Sequence, residues 1–259
     1  MNIVVLTADE PLYLPAFFAR LLAARRDIRG VFCVRPRYGS DSALRMLRKY
    51  AGAFGLWNTL VLARRTLAAK VCDRLGLGRG RGLYYSVSRA ARAAGVPCEL
   101  VEDVNDAGFL ERLRAMKTDL VVSVSCPQIF RKPLIALPPL GCLNVHGALL
   151  PQYRGIAPSF WMMANGEPRA GVTVFLVNEK IDAGDVVVVE EFDILPGETL
   201  DAFIVRSKRI HCDALLRAIE RLERGDRTTT PLRTEAGSYY SFPTRSAYRE
   251  FRRRGRRLW

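Results

Sequence analysis

The chain has 259 residues, 40 of them Lys or Arg and 26 Asp or Glu, for a net charge of +14, and 49% of its residues are hydrophobic. That length and hydrophobic content suit one large domain, or one domain with a short appendage, and exclude a globally disordered chain. The charge is local: residues 41–82 hold nine basic side chains against Asp41 and Asp73, and residues 245–259 hold seven against Glu250, so the body between them needs no polyanion to explain it.

Residues 2–8 form an apolar run stopped by Asp9 and Glu10, with no basic leader, and read as a buried strand and not an export signal. Helical spacing of Leu14, Phe17, Leu21 and Leu22 predicts a helix over 11–25, and 30–34 is a second strand. This β-α-β start favours a parallel sheet. After the basic segment, helices are expected at 85–94 and 107–117, with strands at 98–101 and 119–125. The Val-Val-Ser-Val-Ser core of the latter reads as buried on both faces. A strand over 141–146 leaves the turn at Pro138-Pro139-Leu140-Gly141. A short helix after Pro158, strands near 171–178 and 185–192, and a long helix over 200–224 complete the body, the last capped by Thr199 or Asp201. The expected architecture is an open α/β domain over 1–225, with a helical basic insert at 41–82 and a C-terminal extension at 226–259.

Two further classes are disfavoured. The longest uncharged helix-like stretch, 50–63, is shorter than the roughly 20 apolar residues of a spanning helix. Cys33, Cys72, Cys98, Cys126, Cys142 and Cys212 contain no C-x-x-C pair, so they read as reduced core residues without structural zinc. A cytoplasmic location is the resulting expectation.

In Asn144-Val145-His146 the strand period of two places both polar side chains on one face at the carboxyl end of the strand. That edge is where open parallel sheets bind ligands. Leu149-Leu150-Pro151, Tyr153-Arg154-Gly155, Pro158, Trp161, Asn165-Gly166-Glu167, Gly171-Val172-Thr173 and Asp182-Ala183-Gly184-Asp185 follow. The block 141–185 resembles the folate-dependent formyltransferases, whose members act on methionyl-tRNA, glycinamide ribonucleotide and nucleotide-linked amino sugars. A weaker resemblance runs from residue 1 to about 244, without the insert. It implies a Rossmann-like, mostly parallel sheet and formyl transfer from 10-formyltetrahydrofolate, with no metal. It also implies that Asn144, His146 and Asp182 are catalytic. These types suit the reaction: an amide N–H stabilises an oxyanion, an imidazole takes the amine's proton, and a carboxylate orients the imidazole.

For the folate, the resemblance points to two loops, at 126–130 and 177–181, and within them to Gln128, Ile129, Val177, Asn178 and Ile181. The sequence departs from the family at Ala148, where a Ser often precedes the Leu-Leu-Pro. His211 reads as an ordinary helical residue, and Glu167 and Asp185 as turn residues.

The acceptor is read by comparison within the family. A phosphate loop would need small residues after the first strand, where this chain has Thr7-Ala8-Asp9-Glu10-Pro11, and two carboxylates disfavour glycinamide ribonucleotide. His146-Gly147, Trp161 and Asn165-Gly166-Glu167 are similar to the sugar enzymes. An amino sugar on a nucleotide or other phosphate carrier is therefore the first expectation, with Arg154, Trp161 and Tyr240 as its binding residues. Methionyl-tRNA, held by the basic tail, is the alternative. A silent relative that only binds membrane or nucleic acid is a third reading. In the insert, Leu60, Val61, Leu67, Ala68, Val71, Cys72 and Leu75 make one helical stripe edged by Arg65, Lys70 and Arg74, with Arg64 inside it. It fits an anionic membrane surface, peripheral to the inner face of the membrane, or a hairpin packed on the body or on a second copy as a homodimer.

Overall fold

The computed structural model describes residues 1–36, 43–78 and 80–259, so Asp41 and Arg79 of the basic insert lie outside the described residues. The chain begins with β1 (Ile3–Thr7), α1 (Leu14–Ala24) and β2 (Ile28–Val34). Both strands are almost wholly buried, as the apolar runs require of a sheet covered on two faces. The insert follows as α2 (Ala43–Phe54) and α3 (Leu56–Arg74), broken at Gly55, whose φ of +87° only glycine adopts readily. Then come α4 (Val87–Ala93), β3 (Cys98–Val101), α5 (Ala107–Ala115), β4 (Leu120–Val124), the short α6 (Lys132–Ile135) and β5 (Cys142–His146). Side-chain caps at Ser86, Asp106 and Thr199 accept the free N–H groups that start α4, α5 and α8 (Leu200–Glu223).

Between β5 and α8 lie the two-residue β6 (Arg154–Gly155), α7 (Pro158–Asn165), β7 (Arg169–Leu176) and β8 (Val186–Asp193), and β9 (Tyr239–Tyr240) and α9 (Arg245–Arg253) close the chain. The seven-stranded sheet runs β3-β2-β1-β4-β5-β7-β8. Its first five strands are parallel, and β7 and β8 add antiparallel pairs at the other edge. This is the expected open α/β sheet with late antiparallel strands.

One apolar layer, from α1, α4 and α8, covers one face of the sheet, and α5 and α6 supply the other. A third cluster gathers Ala53 and Phe54 of α2, Phe160 and Met163 of α7, Phe203 of α8, and Phe251 and Leu258 of the C-terminal segment. Phe251 is fully buried. The extension after residue 225 thus shares a core with the body, and its arginine-rich stretch is the helix α9. β6 pairs in parallel with β9, a pairing whose two-residue length gives no periodicity to read from sequence.

Candidate active site

The sheet register decides the site. β5 lies between β4 and β7, with Ser123 opposite Asn144 on one side and Thr173 opposite His146 on the other. Asn144 and His146 therefore leave the same face at the carboxyl end of the parallel sheet, as their spacing requires. They open into a cavity of about 630 Å³, also lined by Asp182. That volume is within the range of sites for small organic ligands, roughly 300–1,000 Å³.

His146 is buried, and its Nε2 lies 2.8 Å from the Tyr153 carbonyl oxygen. A carbonyl only accepts, so Nε2 carries the hydrogen and Nδ1 of the neutral ring is bare. Nδ1 faces Asp182 Oδ2 at 3.8 Å, and the same oxygen accepts the Gly155 N–H at 2.8 Å. The gap is too long for a hydrogen bond to the neutral ring, but it places a carboxylate against the imidazolium once Nδ1 gains a proton. Asn144 makes no side-chain hydrogen bond with any other described residue. Its amide is free to donate into the cavity.

The supporting loops are tightly specified. Thr173 is fully buried; its hydroxyl donates to the Ala148 carbonyl at 2.7 Å and accepts the Leu150 N–H at 3.1 Å. This threonine fixes the turn at the buried Ala148. A side chain at Gly147 would sit 2.8 Å from His211 Nε2, and one at Gly184 would overlap the Leu176 carbonyl. Among the described residues, five non-glycine residues have positive φ, and Ser125, Ala157 and Asp182 of these line the cavity while Tyr153 supplies the carbonyl to His146. Backbone in this region is costly and is held by its surroundings, a pattern concentrated at functional sites.

All five residues expected at the folate line the cavity: Gln128, Ile129, Val177, Asn178 and Ile181. Two of them have their polar atoms engaged with the protein. Gln128 donates to the carbonyls of Arg35 and Glu102 and accepts from the Val104 N–H. Asn178 donates to the Ala183 carbonyl at 2.9 Å and accepts from the Lys180 N–H. Gln128 thereby pins the loop after β4 to the ends of β2 and β3, and Asn178 braces the turn carrying Asp182. The exposed Ile129 and Ile181, with Val177 and Phe130, offer apolar surface for a flat ring.

The three expected acceptor residues stand elsewhere. Arg154, Trp161 and Tyr240 are absent from the cavity wall. Tyr240 stacks on Tyr153 at 5.3 Å and lies 4.6 Å from Trp161, whose indole N–H donates to the Ser241 carbonyl. Asn165 donates to both tyrosine hydroxyls, and Glu167 accepts from that of Tyr153. The strand period explains the correction: successive residues of β9 point to opposite sides, and Tyr239 lines the cavity in place of Tyr240. Arg154 lies over the Tyr239 ring at 5.9 Å.

One wall had no counterpart in the sequence expectations. Leu200, Ile204, Ser207, Lys208 and His211 of α8 line the cavity at helical spacing. His211, read as an ordinary helical residue, is buried; its Nδ1 lies 2.6 Å from the Ser207 carbonyl, and burial pushes its pKa down to about 3. Lys208 is half-buried with its ammonium set deep in the cavity, donating to Ser125 Oγ at 3.3 Å, and burial pushes its pKa down to about 8. The available signal was Ser207 and His211 interrupting the stripe Phe203, Leu215, Ala218, Leu222.

The N-terminus of α1 is already filled. Glu10 accepts the N–H groups of Leu12, Tyr13 and Leu14 at 2.6–3.2 Å, so the chain's own carboxylate occupies the position where a helix start would hold a phosphate.

The sequence profile of the formyl transferase family matches residues 91–219. A methionyl-tRNA formyltransferase of Syntrophus aciditrophicus is 38% identical over 163 residues, which is 62% of this chain and 52% of the relative. The chain thus spans about half the length of the curated relatives it matches. Among solved structures, a sugar N-formyltransferase from a Shewanella species superposes with a TM-score of 0.59 at 18% identity, covering 98% of this chain and 87% of that one. A glycinamide ribonucleotide transformylase from Symbiobacterium toebii does so with a TM-score of 0.59 at 19% identity, covering 90% and 94%.

Proposed function

Since the chain belongs to the formyl transferase family, we propose that it moves a formyl group from formyl-tetrahydrofolate to a primary amine. The observation that carries this reading is the meeting of Asn144, His146 and Asp182 on one cavity whose adjoining wall is the apolar surface of Ile129, Val177 and Ile181. That surface suits the flat ring of the donor, which supplies the formyl carbon. Attack by the amine nitrogen turns the formyl oxygen into an oxyanion, and the unengaged Asn144 amide donates to it, a contribution of about a hundredfold or more in rate. His146 Nδ1 takes the proton that the amine sheds, with Nε2–H held on the Tyr153 carbonyl. Asp182 stabilises the imidazolium so formed; collapse of the intermediate breaks the bond between the formyl carbon and the donor nitrogen, which takes the proton back from His146 and leaves as tetrahydrofolate.

The acceptor reading is revised. The relatives' names favour the amino group of a charged tRNA over an amino sugar, because a methionyl-tRNA formyltransferase reaches 38% identity where the sugar enzyme's likeness is one of fold. An amino sugar stays as the second reading, supported by the sugar-enzyme features around Trp161 and Asn165. Glycinamide ribonucleotide is disfavoured by the Glu10 carboxylate at the start of α1. Tetrahydrofolate release is to be followed with methionyl-tRNA and with nucleotide-linked amino sugars. Turnover with methionyl-tRNA alone supports the first reading; turnover with a sugar alone replaces it by the second. No turnover with either acceptor, together with no folate binding, removes the enzymatic reading.

A further inference from the structure

The insert carries a feature that the cavity does not use. Among the described residues, eleven of the nineteen large apolar side chains most exposed to water lie between Leu44 and Leu83. A soluble surface spreads such residues singly; gathered ones mark a contact. The side of α3 that meets the body carries polar contacts beside the buried Ala69 and the half-buried Val61, Leu62 and Cys72: Asn58 donates to the Tyr248 hydroxyl at 2.9 Å, Arg65 pairs with Asp201 at 2.9 Å, and Asp73 pairs with Arg89 at 2.9 Å. The outward face carries Leu56 (76% exposed), Trp57 (75%), Leu60 (62%), Leu67 (63%) and Val71. Leu56, Leu60, Leu67 and Val71 fall on one stripe at i, i+4, i+11 and i+15.

The charges around this stripe have one sign. Arg64, Lys70 and Arg74 are exposed with it, and the single acid of α3, Asp73, is turned inward into its ion pair. α2 has no acidic residue. It packs against both α3 and α9, so the two basic segments, far apart in the chain, lie beside one insert. No helix of the described residues is long and apolar enough to cross a membrane.

We propose that the outward face of α3, with Arg64, Lys70 and Arg74 exposed beside it, docks on an anionic phospholipid surface. Apolar side chains sink to the depth of the acyl boundary while the arginines and lysines meet headgroup phosphates. RNA would engage the cations but leave the leucines in water, since phosphate and sugar contacts are polar. A second copy placed by a twofold axis would cover the leucines but bring Arg64, Lys70 and Arg74 of both copies into one interface, with no exposed acid of α3 to pair them. Of the three, the membrane satisfies both halves of the surface, and this assignment is independent of the acceptor.

The test is sedimentation of the full chain with vesicles of phosphatidylcholine, or of phosphatidylcholine mixed with phosphatidylglycerol, beside the Leu60→Ser/Leu67→Ser variant. Both substitutions are at exposed positions, and thermal melting checks that the variant folds. The wild type is expected to sediment with the anionic vesicles only, with a blue shift of tryptophan emission that Trp57→Phe diminishes while binding persists. The double variant is expected to bind on the order of a hundredfold more weakly. Equal binding by wild type and double variant, or none by either, overturns the proposal. So does a self-association or an RNA binding that the double variant loses while vesicle binding is absent.

Discussion

Replacing Asp182 by Asn removes the charge that faces His146 but leaves a carbonyl oxygen for the Gly155 N–H. In the wild type, Asp182 Oδ2 sits 3.8 Å from His146 Nδ1, and both side chains are largely buried. A unit charge pair at 3.8 Å is worth about 4 kcal/mol at an effective dielectric constant of ~20. Only the imidazolium feels that attraction, so in the proposed mechanism the loss falls on the step in which His146 holds the amine's proton. The ceiling is about a thousandfold in turnover, and desolvation of the pair lowers it, so Asp182→Asn is expected to reduce kcat by about a hundred- to a thousandfold. KM for donor and acceptor should change little, because the Gly155 contact and the loop survive. Asp182→Ala, which also frees the Gly155 N–H, is expected to lose further activity and some thermal stability. The assay is single-turnover formyl transfer with purified variants whose melting curves match the wild type. A kcat for Asp182→Asn within about threefold of wild type would refute the electrostatic role and leave Asp182 as a loop-holding residue.

Three further outcomes follow from the same geometry. Gly184→Ala places a methyl group on the Leu176 carbonyl, so it is expected to cost ~1–3 kcal/mol in urea unfolding and to displace Asp182 enough to abolish most turnover. His211 is held neutral, its pKa pushed to about 3, whereas the unfolded chain protonates it near pH 6.5. Stability from this group is therefore whole above the unfolded pKa and is lost as pH falls, about 2 kcal/mol by pH 5, and His211→Gln should remove that share in paired unfolding curves. Lys208, with a pKa pushed down to about 8, costs stability while charged, and the cost is relieved as pH rises from about 8 towards its ordinary value near 10.4. Lys208→Met should accordingly raise Tm at neutral pH, with a gain that shrinks above pH 8, and a uniform gain at every pH would contradict the assignment.

The sheet and the edge that carries Asn144 and His146 were legible because they rest on periodicity and punctuation. Alternation in Asn144-Val145-His146, the buried run of β4 and the turn ending at Gly141 dictate local structure that tertiary contacts only reinforce. The loops at 126–130 and 177–181 were legible as candidates and line the cavity, but the side-chain contacts of Gln128 and Asn178 were not legible, since their partners at Arg35, Glu102 and Ala183 are set by how loops meet. Which tyrosine lines the cavity was not legible for a related reason: Tyr239 and Tyr240 exchange sides with a one-residue change of register, and a two-residue strand has no periodicity to fix it. The α8 wall was visible only as polar interruptions in an apolar stripe, which also occur in satisfied cores. The insert's stripe was readable on a helical wheel, but which face meets the body depends on Asn58, Arg65 and Asp73 finding partners in α9, α8 and α4.

The most direct measurement is absorbance-monitored conversion of formyl-tetrahydrofolate to tetrahydrofolate by the purified chain, in the presence of methionyl-tRNA or nucleotide-linked amino sugars, beside His146→Ala. The account predicts acceptor-dependent conversion that the variant reduces by a hundred- to ten-thousandfold while folate binding persists. Conversion unaffected in His146→Ala, or formate release that needs no acceptor, would contradict it.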